Sequence, residues 1–95
     1  MSTIRVDDAV AALTGALTLE TLMVFRKAVI ADLPADIDMT IDLSDLDARD
    51  SSVLALLIFI VRRAAGEGSS VTFTGVDPRV AHMADLAGVR ELLFS

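Results

Sequence analysis

The chain has 95 residues, enough for one domain, and a chain of this size buries roughly 60–70% of its unfolded surface, so its core is modest. Fourteen acids against eight bases give a formal net charge of −6, which opposes binding to nucleic acid or, through charge, to an anionic membrane surface. Cysteine is absent, which excludes a disulfide framework, a thiol nucleophile and a cysteine-based metal site. The hydrophobic fraction is 54% and the only aromatic residues are four Phe, so the core is mainly aliphatic.

In chain order, Ile4 and Val6 mark a first strand and Asp7-Asp8 a turn. Residues 9–14 read as a hairpin partner that ends at Gly15. Thr18 has the chemistry of a helix cap, with Glu20 in the first turn, and Leu19, Leu22, Met23, Phe25, Ala28 and Val29 follow at helical spacing. That helix must end before Pro34, whose ring disfavours a helical Leu33. Ile37, Met39, Ile41 and Leu43 alternate with Asp38, Thr40 and Asp42, the pattern of a half-buried strand. Residues 44–50 form an acid-rich loop, and a second helix spans about residues 51–65, stopped by Gly66-Glu67-Gly68. Residues 71–74 are a short strand. Asp77-Pro78 starts a third helix that carries Val80, Met83, Ala84 and Ala87 and stops at Gly88, with an apolar tail of one further turn over residues 89–94. The order is β-β-α-β-α-β-α, with a parallel crossover unit between Ile37 and Thr74. No internal repeat or linker interrupts a single domain over residues 1–95.

The N-terminus has no basic region leading into an apolar stretch, so no signal peptide is expected. The longest apolar run, Val53 to Val61, is far shorter than the ~20 residues of a membrane span. The expected location is therefore the cytoplasm.

The most informative stretch is Asp50-Ser51-Ser52 at the mouth of that apolar run. An acid and two hydroxyls lie at the start of a buried helix, with no base, metal ligand or nucleophile partner in view. This composition favours recognition or phosphorylation over catalysis. On local grounds alone, the simpler reading is that Ser51 or Ser52 caps the helix, as Ser commonly does. At about 100° per residue, Leu54, Leu57, Val61 and Ala64, flanked by Ile58 and Ala65, form the expected sheet-facing side, and Ser52, Leu56, Phe59 and Arg63 fall opposite. Leu56 and Phe59 are then covered either by the first helix or by another protein.

Other chemistry is sparse. His82, the single histidine, has no visible partner. There is no glycine-rich loop ending in Lys-Ser or Lys-Thr, so ATP binding of that type is not expected. Asp38, Asp42, Asp45, Asp47 and Asp50 do not follow the calcium-loop spacing and read as a solvated loop. No cofactor, metal or catalytic residue is assigned, and an enzyme is the weakest class.

Three ordered segments resemble the STAS domain, the family of anti-sigma-factor antagonists and transporter-associated modules. Residues 13–18, Leu-Thr-Gly-Ala-Leu-Thr, are similar to its Leu-x-Gly-x-Leu-Asp segment, with Thr18 in place of Asp. Ile41-Asp42-Leu43-Ser44 and then Asp50-Ser51-Ser52-Val53-Leu54 resemble its Asp-Leu-Ser and Asp-Ser-Ser/Ala-Gly-Leu segments. Residues 75–80, with Leu86-Ala87-Gly88-Val89, resemble its last strand and helix. The resemblance implies an α/β STAS fold, a four-stranded mixed sheet with helices packed on one face. It is nearest to the stand-alone MlaB-type subunits of the Mla phospholipid ABC transporter, which bind the cytoplasmic ATPase subunit and support its assembly. By that likeness Ser51 is a partner contact, with Asp50 beside it and with Ser52, Leu56 and Phe59 added from the helical wheel, and the chain lies peripheral to the inner membrane through its partner. The alternative is an antagonist of an anti-sigma factor kinase, phosphorylated at Ser51. Against that stands Val53, where phosphorylated members carry Gly, since a branched side chain there is expected to block or reshape a partner's approach. A third reading is a domain excised from an anion transporter, which the start at Met1 disfavours.

Overall fold

A computed structural model describes residues 3–94; Met1, Ser2 and Ser95, the ends of the expected domain, lie outside the described residues. Strands β1 (Ile4–Asp7) and β2 (Val10–Leu13) form the hairpin. β3 (Gly15–Leu17) follows, then helix α1 (Leu22–Asp32), β4 (Met39–Asp42), β5 (Leu46–Ala48), α2 (Ser52–Gly66), β6 (Val71–Thr74), α3 (Pro78–Ala87) and the short α4 (Arg90–Phe94). The main sheet is four-stranded and mixed, in the order β1-β2-β4-β6. β1 pairs antiparallel with β2, whereas β2–β4 and β4–β6 are parallel pairs bridged by α1 and α2.

Period-two alternation divides the sheet into two faces. Ile4, Ala11, Leu13, Met39, Ile41 and Phe73 point into the core beneath the helices. Arg5, Ala12, Asp42 and Thr74 form a cross-strand row on the opposite side. Phe25, Val29, Leu56, Leu57 and Ile60 close the core from above, and Phe73 meets Phe94 edge-on at 6.0 Å.

Two short strands depart from the expected order. Gly15–Leu17 and Leu46–Ala48 pair in parallel as a separate two-stranded ribbon. Gly15 lies just past the end of β2, as expected, and in addition opens β3, with φ +102°. Thr18 does not cap α1. Its hydroxyl accepts the backbone N–H groups of Glu20 and Thr21 in a turn that precedes the helix, and α1 starts at Leu22.

The later boundaries follow the local chemistry. Leu33, extended ahead of Pro34, ends α1. The Asp77 side chain accepts the Arg79 N–H with Pro78 in the first turn of α3, and Gly88 ends that helix in the left-handed conformation.

Helices α1 and α2 lie side by side and point the same way. At their starts, Asp50 accepts the N–H of Leu19 at 3.1 Å. At their ends, Arg63 donates to the carbonyls of Leu33 at 2.9 Å and Ile30 at 3.4 Å, supplying donors and a positive charge to the C-terminal turn of α1.

Candidate functional site

The beginning of α2 is organised by Asp50. One carboxylate oxygen accepts the Ser52 N–H at 2.8 Å and the other accepts the Leu19 N–H at 3.1 Å. Hydrogen bonds from Ser52, first from its side chain and then from its backbone, together with the Leu19 N–H, hold the Asp50 carboxyl below its ordinary pKa. Ser51 occupies the N-cap position with helical φ and ψ and makes no side-chain cap. Asp50 thus does the capping for which Ser51 was one candidate, and the exposed Ser51 hydroxyl has no hydrogen-bond partner among the described residues. Ser52, by contrast, is buried.

From Ser51 the outward stripe of α2 continues through Ala55, Ile58, Phe59 and Arg62, at spacings of three and four residues. Together with Leu22 and Arg26 of α1, the last four of these line a groove of about 340 Å³. The Arg26 guanidinium stands 4.5 Å above the Phe59 ring, a cation–π contact of the kind that arginine makes with aromatic faces. Leu19, in the turn before α1, is 73% exposed and Met23, in the first turn of α1, is 54% exposed, so apolar surface is also open at the start of that helix.

Three residues lie elsewhere than expected. Ser52, assigned to a partner surface, is buried beneath it with its N–H held by Asp50. Leu56, assigned from the wheel to a partner surface, is fully buried. α2 packs against α1, α3, α4 and β6, so more than one side of the helix is enclosed and Leu56 belongs to the protein's own core. Val53 is likewise fully buried, which places its branched side chain among core residues and out of the path of an approaching partner. Sequence reasoning missed Leu19, Met23, Ala55 and Ile58. Leu19 and Met23 were grouped at helical spacing with residues that prove buried, and Ile58 was placed beside the sheet-facing side, whereas it lies on the outward stripe.

A family model described as "Mlab, STAS domain" matches residues 2–94. The chain belongs to the STAS family. Among curated proteins no relative matches it. Within this STAS domain the three family-like segments cluster around the sheet. Residues 13–18 run from β2 through β3, Asp42-Leu43-Ser44 closes β4, and Gly75 follows β6. Asp42 accepts both the N–H and the hydroxyl of Ser44, and these two bonds, the hydroxyl first, lower its pKa. Gly75 has φ +65°, and a Cβ there would lie 2.9 Å from the Ser44 nitrogen, so only glycine suits this contact.

The remaining polar residues of the STAS domain are dispersed. Asp38 accepts the Ser70 N–H and Asp47 pairs with Arg49. Among the described residues no group of three or more His, Cys, Asp or Glu is placed to hold a metal ion. His82 is exposed on α3 beside a cavity lined also by Ala48, Arg49, Pro78, Arg79 and Met83. No helix among the described residues is long and apolar enough to cross a membrane.

Proposed function

We propose that this STAS domain is a non-catalytic binding subunit that supports the cytoplasmic ATPase of a phospholipid ABC transporter and lies at the inner membrane through that partner. The observation that carries the reading is the outward stripe of α2 from Ser51 to Phe59, which lines a groove with Leu22 and Arg26 of α1. Apolar surface of this kind usually marks an interface. The match to a family described as Mlab supports the choice of partner. Ser51 contributes a free hydroxyl at the edge of the contact, Asp50 holds the two helix starts together, and Phe59 supplies a half-buried anchor. Ser52 acts from beneath, by fixing Asp50.

Co-purification with the ATPase and permease subunits of a phospholipid ABC transporter from the same cells tests the reading. A stable complex that Ser51→Arg and Phe59→Ala disrupt, without loss of fold, supports it. Failure of the ATPase to bind, or binding indifferent to both substitutions, overturns it.

One observation favours a second reading. The Ser51 hydroxyl is exposed and free of hydrogen bonds at the start of a helix, where a phosphate meets the positive end of the dipole. This is what a phospho-switched antagonist of an anti-sigma kinase requires. Intact-mass measurement after incubation with a cognate kinase distinguishes the two, the switch requiring one added phosphate that Ser51→Ala abolishes.

A further inference from the structure

The excess of negative charge is unevenly spread. Of the eight bases, Arg26, Lys27, Arg62 and Arg63 lie on α1 and α2, whereas Asp32 is the only one of the fourteen acids on those helices. The ion pairs of the described residues, Arg49–Asp47, Arg79–Asp77 and Arg90–Asp85, all lie outside α1 and α2. Arg63 is engaged by the carbonyls at the end of α1. Arg26 is held over Phe59, and its Nε is buried with no hydrogen-bond partner among the described residues. A buried donor left unmet costs free energy and calls for an explanation. Arg62, exposed on the same groove, has no carboxylate partner among the described residues either.

We infer that the groove between α1 and α2 receives an acidic amphipathic segment of a partner protein, with an apolar side chain on Ile58 and Phe59 and a carboxylate at Arg26 and Arg62. Charge complementarity carries this assignment. Arg26 and Arg62 both line the groove and neither is ion-paired among the described residues, so a carboxylate there meets two uncompensated guanidinium groups, and charge-assisted bonds to arginine are the strong ones. The overall charge of −6 does not forbid an acidic ligand, because screening limits repulsion from the rest of the molecule to about 8–10 Å at physiological salt. The groove also has a direction. Glu20 and Asp50 precede the parallel helices, while the bases lie further along them. A segment is therefore accepted with its acid toward Arg26 and Arg62 and rejected in reverse. A protein segment suits this groove better than a bilayer, because its apolar floor is narrow and acids flank one end.

This inference rests on the α1–α2 face being the partner surface. Its test uses the whole chain, isotope-labelled, and a synthetic helical peptide with Leu at helical spacing flanked by Glu. The peptide should shift the resonances of Ile58, Phe59 and the Arg26 Nε–H. Its affinity should fall about tenfold or more when Lys replaces Glu, in Arg26→Gln/Arg62→Gln, and as salt is raised. The exposed Arg62→Glu alone should weaken binding without lowering the melting temperature, which separates recognition from folding. Equal binding of the Glu and Lys peptides, shifts confined to another face, or binding only to phosphatidylglycerol vesicles would overturn the inference. If the ATPase binds wild type and Arg26→Gln/Arg62→Gln equally well while Phe59→Ala fails, the interface stands and acid recognition falls. If none of these substitutions affects ATPase binding, both fall.

Discussion

The Asp50 carboxylate accepts the backbone N–H of Leu19, 31 residues earlier, at 3.1 Å. That bond ties the turn before α1 to the first turn of α2, with the free Ser51 hydroxyl next to it and the Leu19 side chain exposed. The geometry of the proposed interface therefore depends on an acid that need not touch the partner. Asp50→Asn should keep the shape of the side chain, weaken these bonds, and reduce partner binding with only a small drop in melting temperature.

Acid should reveal the same bonds. The pKa values of Asp50, Asp42 and Asp77 are all lowered from the ordinary 3.8, chiefly by hydrogen bonds from Ser52, Ser44 and Arg79 respectively. A carboxyl with a depressed folded pKa stabilises fully above its unfolded pKa, and this stabilisation is lost as pH falls through the folded value. Melting temperature should thus hold until the pH nears 3.8 and then decline below it. Asp50→Asn should make the decline shallower. A series of thermal melts taken downward from neutral pH reads this directly, and an unchanged slope in the variant would exclude a role for Asp50.

Leu56 and Phe59 should separate under truncation although both were read as outward-facing. Leu56→Ala empties a fully buried site and should cost about 2–5 kcal/mol of stability. Phe59 is half-buried under Arg26. Phe59→Ala should cost less stability than a core truncation but about 2 kcal/mol or more of partner binding. Urea denaturation and titration with the ATPase subunit, run on both variants, give the two numbers. A Phe59→Ala variant as unstable as Leu56→Ala would return Phe59 to the core.

Much of the fold was legible because single residues settled single boundaries. Pro34 ended α1, Asp77-Pro78 opened α3, and alternation around Ile41 marked β4. The ribbon of β3 and β5 was not legible, because three residues are too few to display a period and Leu46 and Leu17 are made strands by pairing with each other's segments. The candidate site was half legible. Asp50, Ser51 and Phe59 stand where the motif and wheel put them. Leu56 does not, because a helical wheel knows the angle of a side chain but not how many neighbours enclose the helix. Leu19 and Met23 were hidden by the reverse error, since apolar residues at helical spacing look like core until the packing shows which of them nothing covers.

Arg63 should matter for stability more than its partial exposure suggests. It bridges the ends of α1 and α2 through two carbonyls that the helix cannot satisfy itself. Arg63→Ala should cost about 1.5–2 kcal/mol, the lower part of the range for bonds to charged groups because solvent competes. Arg63→Lys should recover only part of it, since a single ammonium lacks the guanidinium fork. Hydrogen exchange adds the location. Protection should fall most at the end of α1, and an even loss across the domain would argue for general destabilisation instead.

The last expectation concerns Gly75, where conformation and space both demand glycine. Gly68 and Gly75 have similar left-handed backbones, with φ +74° and +65°. Around Gly68 an added Cβ meets nothing within 4 Å, whereas at Gly75 it falls against Ser44 and Asp42, including the Ser44 backbone nitrogen at 2.9 Å. Gly68→Ala should therefore cost only the left-handed penalty of about 1–2 kcal/mol. Gly75→Ala should cost distinctly more, because the end of β4 must move to admit the methyl group and the Asp42–Ser44 bonds break with it. Removing the Ser44 hydroxyl relieves only part of this clash, since the backbone nitrogen remains. Denaturation of Gly68→Ala, Gly75→Ala and Gly75→Ala/Ser44→Ala should place the double variant between the two single ones, and equal losses at Gly68 and Gly75 would show that the close approach after β6 carries no stability of its own.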